Sequence, residues 1–492
     1  MLQRVSPMPP LDDGDLVRNQ AFIGGAWVDG SLGRFPVVNP ADGGTITEVA
    51  NCGETEVQLA ISAAEQALPA WRAKTAKERS LLLRRWNDLA LAAASDLAKI
   101  LTVEQGKPLA EARGEITYAM SFLEWFAEEA KRVYGETIPS PWTDRRLLVF
   151  REPVGVCAAI TPWNFPSAMI TRKIAPALAA GCTVIVKPAE QTPLSALALA
   201  ELAQRAGFPP GVINIVTADA DQSIALGRVL CDSPVVRKLS FTGSTAVGRI
   251  LMQQCAPTLK KLSLELGGNA PFIVFDDADV PAAVEGALIS KYRNSGQTCV
   301  CTNRFFVQDA IYESFVTQFA ARAAQLKVGS GLEPGVQQGP LIDVAALSKV
   351  EAHISDAIAK GAKVETGGHR HRLGGTFFEP TVLSGVQDTM LLAREEIFGP
   401  VAPVFSFRKD EEVIAAANSV EHGLAAYFYA RDVGRVMRYA EALEFGMVGV
   451  NVGLMTTEVA PFGGIKQSGF GREGSRHGIE EYLNVKYVCV GL

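Results

Sequence analysis

The chain has 492 residues, 48% hydrophobic and 20% charged, more than one compact core holds, so two or three domains are expected. Its 47 basic side chains nearly offset 53 acidic ones, for a net charge of -6, which excludes the broad cationic face that nucleic-acid binding needs. No apolar run reaches the roughly 18 to 20 residues of a membrane-spanning helix, and residues 1–20 carry Pro9, Pro10, Asp12, Asp13 and Asp15 in place of an apolar signal core, so no membrane partner and a cytoplasmic location are expected.

Residues 1–140 read as an irregular start followed by helices. Thr75 and Glu78 form a T-x-x-E capping box ahead of Leu82, Leu83, Trp86, Leu89, Ala90, Ala93 and Leu97 at helical spacing. From Gly155 short β-rich runs at 155–161, 183–188, 212–216 and 238–243 alternate with Ala/Leu-rich stretches, the pattern of a doubly wound parallel α/β sheet. A second alternating series, at 271–275, 304–308, 401–407, 425–430 and 447–452, predicts a second α/β unit, with the Gly/Pro-rich stretch 329–340 as a surface loop. Two further β-like runs, 145–150 and 485–490, fall outside both series. A lone strand leaves its edges unpaired, so these two are expected to pair with each other and to extend a neighbouring subunit's sheet.

Strand ends in parallel sheets are where ligands bind. KLSFTGSTAVG places Gly243, Ser244 and Gly248 at a strand-to-helix junction, where backbone N–H groups can face a pyrophosphate. Gly-Ser equally makes an ordinary turn and N-cap, and the G-x-G-x-x-G spacing is absent. KPAE, comprising Lys187, Pro188, Ala189 and Glu190, follows the TVIV run. It reads either as a salt-bridged turn or as the adenosine ribose site. In the second case Glu190 favours NAD by accepting from a free 2′-OH, while Lys187 leaves NADP possible.

The eight cysteines, at 52, 157, 182, 231, 255, 299, 301 and 489, are spread too thinly for a disulfide framework. Only the pair Cys299 and Cys301, in RNSGQTCVCTNR, asks for a chemical explanation. A thiol there can add to an aldehyde, and the thiohemiacetal can expel hydride to leave a thioester. A packing cysteine is the alternative. Zinc is not expected, because no second Cys/His pair has suitable spacing.

Together, TPWNFP (161–166), KPAE, FTGST, LELGGNAP (264–271), GQTC, EEIFGP (395–400) and PFGGIKQSGFGREG (461–474) resemble the aldehyde dehydrogenase superfamily, in order and over nearly the whole chain. The resemblance implies Cys299 as nucleophile, Glu265 as the general base that activates water, and Asn164 as oxyanion donor together with the Cys299 N–H. It places Glu396 and Phe398 at the nicotinamide ribose and ring, and Trp163 and Leu266 beside the cofactor.

Residues 165–173, 291–304, 458–474 and 479–492 look closest to succinate-semialdehyde dehydrogenases. That likeness implies that Arg172 and Arg293 grip the substrate's remote carboxylate, with Thr456 where the subfamily has a serine. It also implies that Cys301 forms a redox switch with Cys299. Glutarate semialdehyde or another ω-oxo acid is the alternative substrate, and a general aldehyde dehydrogenase with esterase activity or a non-catalytic relative the alternative function. The expected architecture is two doubly wound α/β domains, a cofactor-binding one (1–139 and 151–264) and a catalytic one (265–457), with oligomerisation strands at 140–150 and 475–492. A homodimer or homotetramer is expected.

Overall fold

A computed structural model describes residues 5–492. All four runs of the first alternating series form strands, Val156–Ile160, Thr183–Lys187, Ile213–Ile215 and Val236–Thr242, because each is apolar, short and bounded by turn residues. They belong to an eight-stranded sheet in the order Ala26–Val28, Ala21–Ile23, Ile213–Ile215, Thr183–Lys187, Val156–Ile160, Val236–Thr242, Lys261–Glu265, Gly469–Phe470. The five central strands are parallel. The series starts at Val156–Ile160, winds outward through two strands, then restarts on that strand's other side at Val236–Thr242. A crevice therefore opens at the carboxyl ends of these two neighbours, where the winding direction switches.

The second series forms a seven-stranded sheet, in the order Lys363–Thr366, Thr381–Ser384, Val401–Phe407, Thr302–Gln308, Ala270–Val274, Ala425–Tyr429, Met447–Val450. Only its first pair is antiparallel. Residues 266–269 carry the chain from the carboxyl end of Lys261–Glu265 in the first sheet to the start of Ala270–Val274 in the second, so the two sheets meet end to end across the crevice.

The capping box forms as expected: the Thr75 N–H donates to Glu78 at 2.7 Å and the Glu78 N–H to the Thr75 hydroxyl at 3.3 Å, opening the helix Ala76–Ala92. The irregular start holds for residues 5–20, which carry only the 3-10 turn Gly14–Leu16 and an isolated bridge at Val5, and from Ala21 the chain is regular. It contributes two edge strands of the first sheet and a separate hairpin, Arg34–Val38 with Thr45–Ala50. The edge strands turn through Gly24 and Gly25, at φ of 61° and 84°, which a side chain would resist.

Stretch 329–340 is not simply a surface loop. Gly331 accepts from the Leu109 N–H at 2.9 Å, and a Cβ on Gly331 or Gly339 would strike the backbone of Lys107 or Gly106. Glycine is needed there because two backbones touch. The terminal runs pair as expected, Leu483–Gly491 lying antiparallel to Arg145–Pro153, with Glu136–Ile138 on the other side. Residues 475–480, however, form the helix Ser475–Glu480, not strand. Among the described residues no helix is long and apolar enough to cross a membrane.

Candidate active site

Four loops leave the carboxyl ends of neighbouring strands in the first sheet and carry most of the expected residues. After Ile160 comes the turn with Trp163 and Asn164, after Lys187 the turn with Glu190, after Thr242 the Gly243-Ser244 turn, and Glu265 itself ends its strand. Cys299 reaches the same place from the second sheet, one turn before Thr302–Gln308.

The backbone before Cys299 is strained. Asn294 and Ser295 both sit in the left-handed region, at φ of 53° and 57°, a conformation that costs about 1–3 kcal/mol per residue. Buried partners hold it there. The Asn294 N–H donates to the Glu111 carboxylate at 2.8 Å, and its amide donates to the Asn164 carbonyl at 3.0 Å. Lys107 Nζ donates to the same carbonyl at 2.8 Å and lies 2.5 Å from Glu115. Asn164 Nδ2 donates to the Gln297 carbonyl at 3.0 Å. One of its two N–H groups is thereby fixed and the other left for a ligand.

Cys299 is half-buried, and its backbone N–H has no acceptor among the described residues. Burial pushes its thiol up to about 12. The positive charges of Arg172 and Arg293 work against that shift, and Glu396 and Glu265 add to it. Glu265 is buried with neither carboxylate oxygen hydrogen-bonded among the described residues. Burial, reinforced by the negative charge of Glu473, holds its carboxyl well above the usual range. Cys301 is differently placed, since its thiol donates to the carbonyls of Lys291 and Thr302, both at 3.4 Å.

Trp163 and Phe398 meet edge to face at 5.6 Å, bringing together TPWNFP and EEIFGP. Phe398 is itself left-handed, at φ of 54°. Glu396 accepts from the Gly268 N–H at 3.1 Å, and burial pushes its carboxyl up to about 7. A Cβ on Gly267 would lie 3.0 Å from the Glu396 carboxylate and 3.4 Å from the Thr245 hydroxyl. The absent side chain keeps open a strip of backbone running from the helix Thr245–Cys255 to Glu396.

Ser244 caps that helix, accepting from the Val247 N–H at 3.3 Å, and the N–H groups of Thr245 and Ala246 precede any intrahelical bond. Gly248 does not join them. Its N–H donates to the Ser244 carbonyl at 3.0 Å, and the space a Cβ would need is filled by Leu266, so Gly248 is a packing position that seats Leu266. Lys187 is buried, its Nζ 3.5 Å from the Glu190 carboxylate, which is 28% exposed. The KPAE turn is thus salt-bridged, with Glu190 partly exposed just beyond the carboxyl end of its strand. The open strip, the free helix N-terminus and the two carboxylates Glu190 and Glu396 fit a dinucleotide, whose phosphates need N–H donors and whose riboses need acceptors.

The two arginines differ. Arg172 is 2% exposed, lies over the Phe462 ring at 3.9 Å, and has Nη2 2.7 Å from the Glu473 carboxylate. Arg293 rests against Phe165 at 5.3 Å and has no ion-pair partner among the described residues. Both charges act on Cys299 and on Tyr118, which also neighbours Thr456.

Sequence reading missed Glu473, Lys173, Lys107, Glu111 and Tyr118. Glu473 and Lys173, 2.5 Å apart, are 300 residues apart in the chain. Glu473 falls inside PFGGIKQSGFGREG and Lys173 inside the stretch 165–173, so each lies in a segment the resemblance rests on. Among the described residues no group of three or more His, Cys, Asp or Glu side chains is placed to hold a metal.

The family model described as the aldehyde dehydrogenase family matches residues 27–488. The glutarate-semialdehyde dehydrogenase of Pseudomonas aeruginosa is 62% identical over 98% of this chain and 99% of its own. The succinate-semialdehyde dehydrogenase [NADP(+)] GabD of Escherichia coli is 59% identical over 98% and 100%. The crystal structure of the succinate-semialdehyde dehydrogenase from Burkholderia pseudomallei superimposes with a TM-score of 0.97 at 61% identity, covering 98% of this chain and 100% of that one. With its strand-end loops converging on Cys299 and with relatives matched over almost their whole length, the chain belongs to the aldehyde dehydrogenase family, whose members oxidise aldehydes with NAD(P).

Proposed function

We propose that the chain oxidises the aldehyde of a short ω-oxo acid, foremost succinate semialdehyde, to the dicarboxylate, through a thiohemiacetal and then a thioester on Cys299. The observation that carries this reading is the pair of guanidinium groups, Arg172 and Arg293, whose charges both bear on the Cys299 thiol. A substrate with a carboxylate at fixed reach from its aldehyde suits such a pair. The names of the semialdehyde relatives support the same class. Glutarate semialdehyde is the second reading, favoured by the 62% identity to a glutarate-semialdehyde dehydrogenase.

Burial keeps the thiol protonated at rest, so the attacking thiolate forms by loss of that proton to water, favoured by the charges of Arg172 and Arg293. The thiolate adds to the carbonyl, and the oxyanion takes the free N–H of the Asn164 amide and the Cys299 backbone N–H. NAD(P), when bound, supplies the hydride acceptor that turns the thiohemiacetal into a thioester. Glu265 then takes a proton from water as it attacks the thioester, returning the thiol and releasing the acid.

For the cofactor, Lys187, Pro188, Ala189 and Glu190 are proposed at the adenosine ribose. Ser244 is proposed at the pyrophosphate, with Gly243, whose own N–H donates to the Glu265 carbonyl at 3.1 Å, as the turn that presents it, and Leu266, Glu396, Phe398 and Trp163 are proposed at the nicotinamide end. Glu190 supports NAD over NADP by repelling a 2′-phosphate. The NADP(+) in the name of the 59% identical relative keeps the second cofactor in the comparison.

We further infer a homodimer or homotetramer assembled through the three-stranded terminal sheet. Its strands expose Val485 and Tyr487 on one face and Phe150 on the other, apolar side chains that association would cover. The residues described as free thiols, among them neighbours Cys231 and Cys255, suit the reducing cytoplasm expected from the sequence. Cys301 is proposed as redox partner of Cys299, and Thr456 as a contact of the substrate's acid end.

The experiment is a panel of succinate semialdehyde, glutarate semialdehyde and butanal, each with NAD and with NADP, followed by reduced-nicotinamide absorbance. Preference for the semialdehydes is expected. Equal or better turnover of butanal overturns the ω-oxo acid reading.

A further inference from the structure

The helix Leu109–Glu129 carries Glu111, Glu115, Tyr118 and Phe122 at alternating helical spacings, so the four side chains share one face. That face is turned to the site. Glu111 accepts from the Asn294 N–H at 2.8 Å, and Glu115 accepts from the N–H groups of Ser167 and Ala168 at 3.0 and 3.3 Å. Phe122 faces the Arg172 guanidinium at 5.6 Å and receives the Tyr118 ring edge-on at 5.0 Å.

Three of the four thus have their binding capacity engaged. Tyr118 does not. Its hydroxyl is buried and meets no carboxylate or backbone group, the Thr456 hydroxyl being the one side chain near enough to pair with it. The groups around it are Arg172, Arg293 and Thr456, with Glu473 beyond. Arg172 Nε and Nη2 are likewise buried without a hydrogen-bond acceptor, Nη2 approaching Glu473 closely but not pointing its N–H at it. A phenol O–H and guanidinium N–H groups converge here, and the one anionic acceptor beside them, Glu473, is already shared between Arg172 and Lys173. Buried donors are ordinarily paired, and an anionic acceptor would satisfy all of them at once.

We propose that Tyr118 is a substrate-binding residue, its O–H donating to the remote acid group of the aldehyde substrate alongside Arg172 and Arg293; this rests on the ω-oxo acid reading above. The phenol adds direction to what the arginines supply as charge. It comes from a helix that also fixes Asn294 and the end of the Asn164 loop, so the distance from acid group to Cys299 is set by one rigid element. Tyr118 therefore contributes to chain-length choice as well as to affinity.

The test is Tyr118→Phe in the full chain, which keeps the ring and its contact with Phe122 and removes only the O–H. Losing a hydrogen bond to a charged group should raise KM for succinate semialdehyde about tenfold or more, with kcat within about twofold and both constants for butanal unchanged. If Arg172→Ala and Arg293→Ala raise that KM while Tyr118→Phe does not, the Tyr118 assignment falls and the ω-oxo acid reading stands. Equal loss on both aldehydes makes the hydroxyl structural and overturns the assignment. A parent enzyme with no preference for succinate semialdehyde over butanal overturns the reading itself, and Tyr118's role with it.

Discussion

The guanidinium of Arg172 lies 2.7 Å from the carboxylate of Glu473, and both groups are almost wholly buried. Arg293, the other arginine beside Cys299, has no such partner among the described residues. The two should therefore respond differently to removal. Arg172→Ala leaves Glu473 buried with one cation fewer, a loss of about 3–5 kcal/mol, and should lower the melting temperature. Arg293→Ala should melt near the parent. Both should cut kcat/KM for succinate semialdehyde by roughly tenfold or more while butanal loses far less. Parallel losses on the two aldehydes would make the arginines purely structural.

Cys299→Ala should reduce dehydrogenase turnover below about one per cent of the parent, since no other group replaces the nucleophile, while NAD(P) binding survives. Glu265→Gln should release a single burst of reduced cofactor and then stall as acyl-enzyme. Intact-protein mass spectrometry reads the adduct directly, and a normal steady-state rate without adduct removes Glu265 from the base role.

The pH profile should depend on Glu473. Burial raises the Glu265 carboxyl first and the Glu473 charge raises it further. Lys173 and Arg172 keep Glu473 itself ionised even though burial opposes this. A base works in its deprotonated form, so kcat should climb as pH rises through the Glu265 pKa. Glu473→Gln removes the second cause alone and should move that limb to lower pH. A limb that stays in place, or moves to higher pH, contradicts the coupling.

Cofactor choice is read from Glu190. The parent should use NAD more efficiently than NADP, and Glu190→Gln should narrow the gap by removing the repulsion of a 2′-phosphate. A parent that favours NADP by tenfold, about 1.4 kcal/mol the other way, shows that Lys187 dominates the turn.

Peroxide should oxidise Cys299 to a sulfenic acid, which the Cys301 thiol condenses with, losing water to form a disulfide that dithiothreitol reverses. The Cys301 thiol must first leave its carbonyl acceptors on Lys291 and Thr302. Cys301→Ala should recover less activity after reduction. Identical recovery in mutant and parent removes the switch.

Much of this fold is written locally. The strand runs around Val184, Leu239 and Phe272 are short, apolar and ended by turn residues, and Thr75 with Glu78 needs only three residues to declare a helix start. The Gly24-Gly25 turn is an equally local signal, faint only because its strands, Ala21–Ile23 and Ala26–Val28, are so brief. What is not written locally is pairing across the chain. Nothing near Arg172 announces Glu473, and nothing near Asn294 announces Glu111. Gly248 shows the converse: its spacing suits phosphate binding, while in the fold its N–H is bonded to the Ser244 carbonyl and its missing Cβ makes room for Leu266.

The pairing of the two terminal strands bears on how the chain is made. Glu152 and its partner Lys486 are 334 residues apart, so at about 5–20 residues per second a ribosome leaves the strand Arg145–Pro153 uncovered for on the order of half a minute. The edge of Lys261–Glu265, where Glu265 sits, likewise waits for Gly469–Phe470. Two open β edges thus coexist on the nascent protein, each a template for the wrong partner. A premature stop that removes 483–492 makes the first of them permanent, and its product is expected to aggregate instead of forming a slightly shorter enzyme.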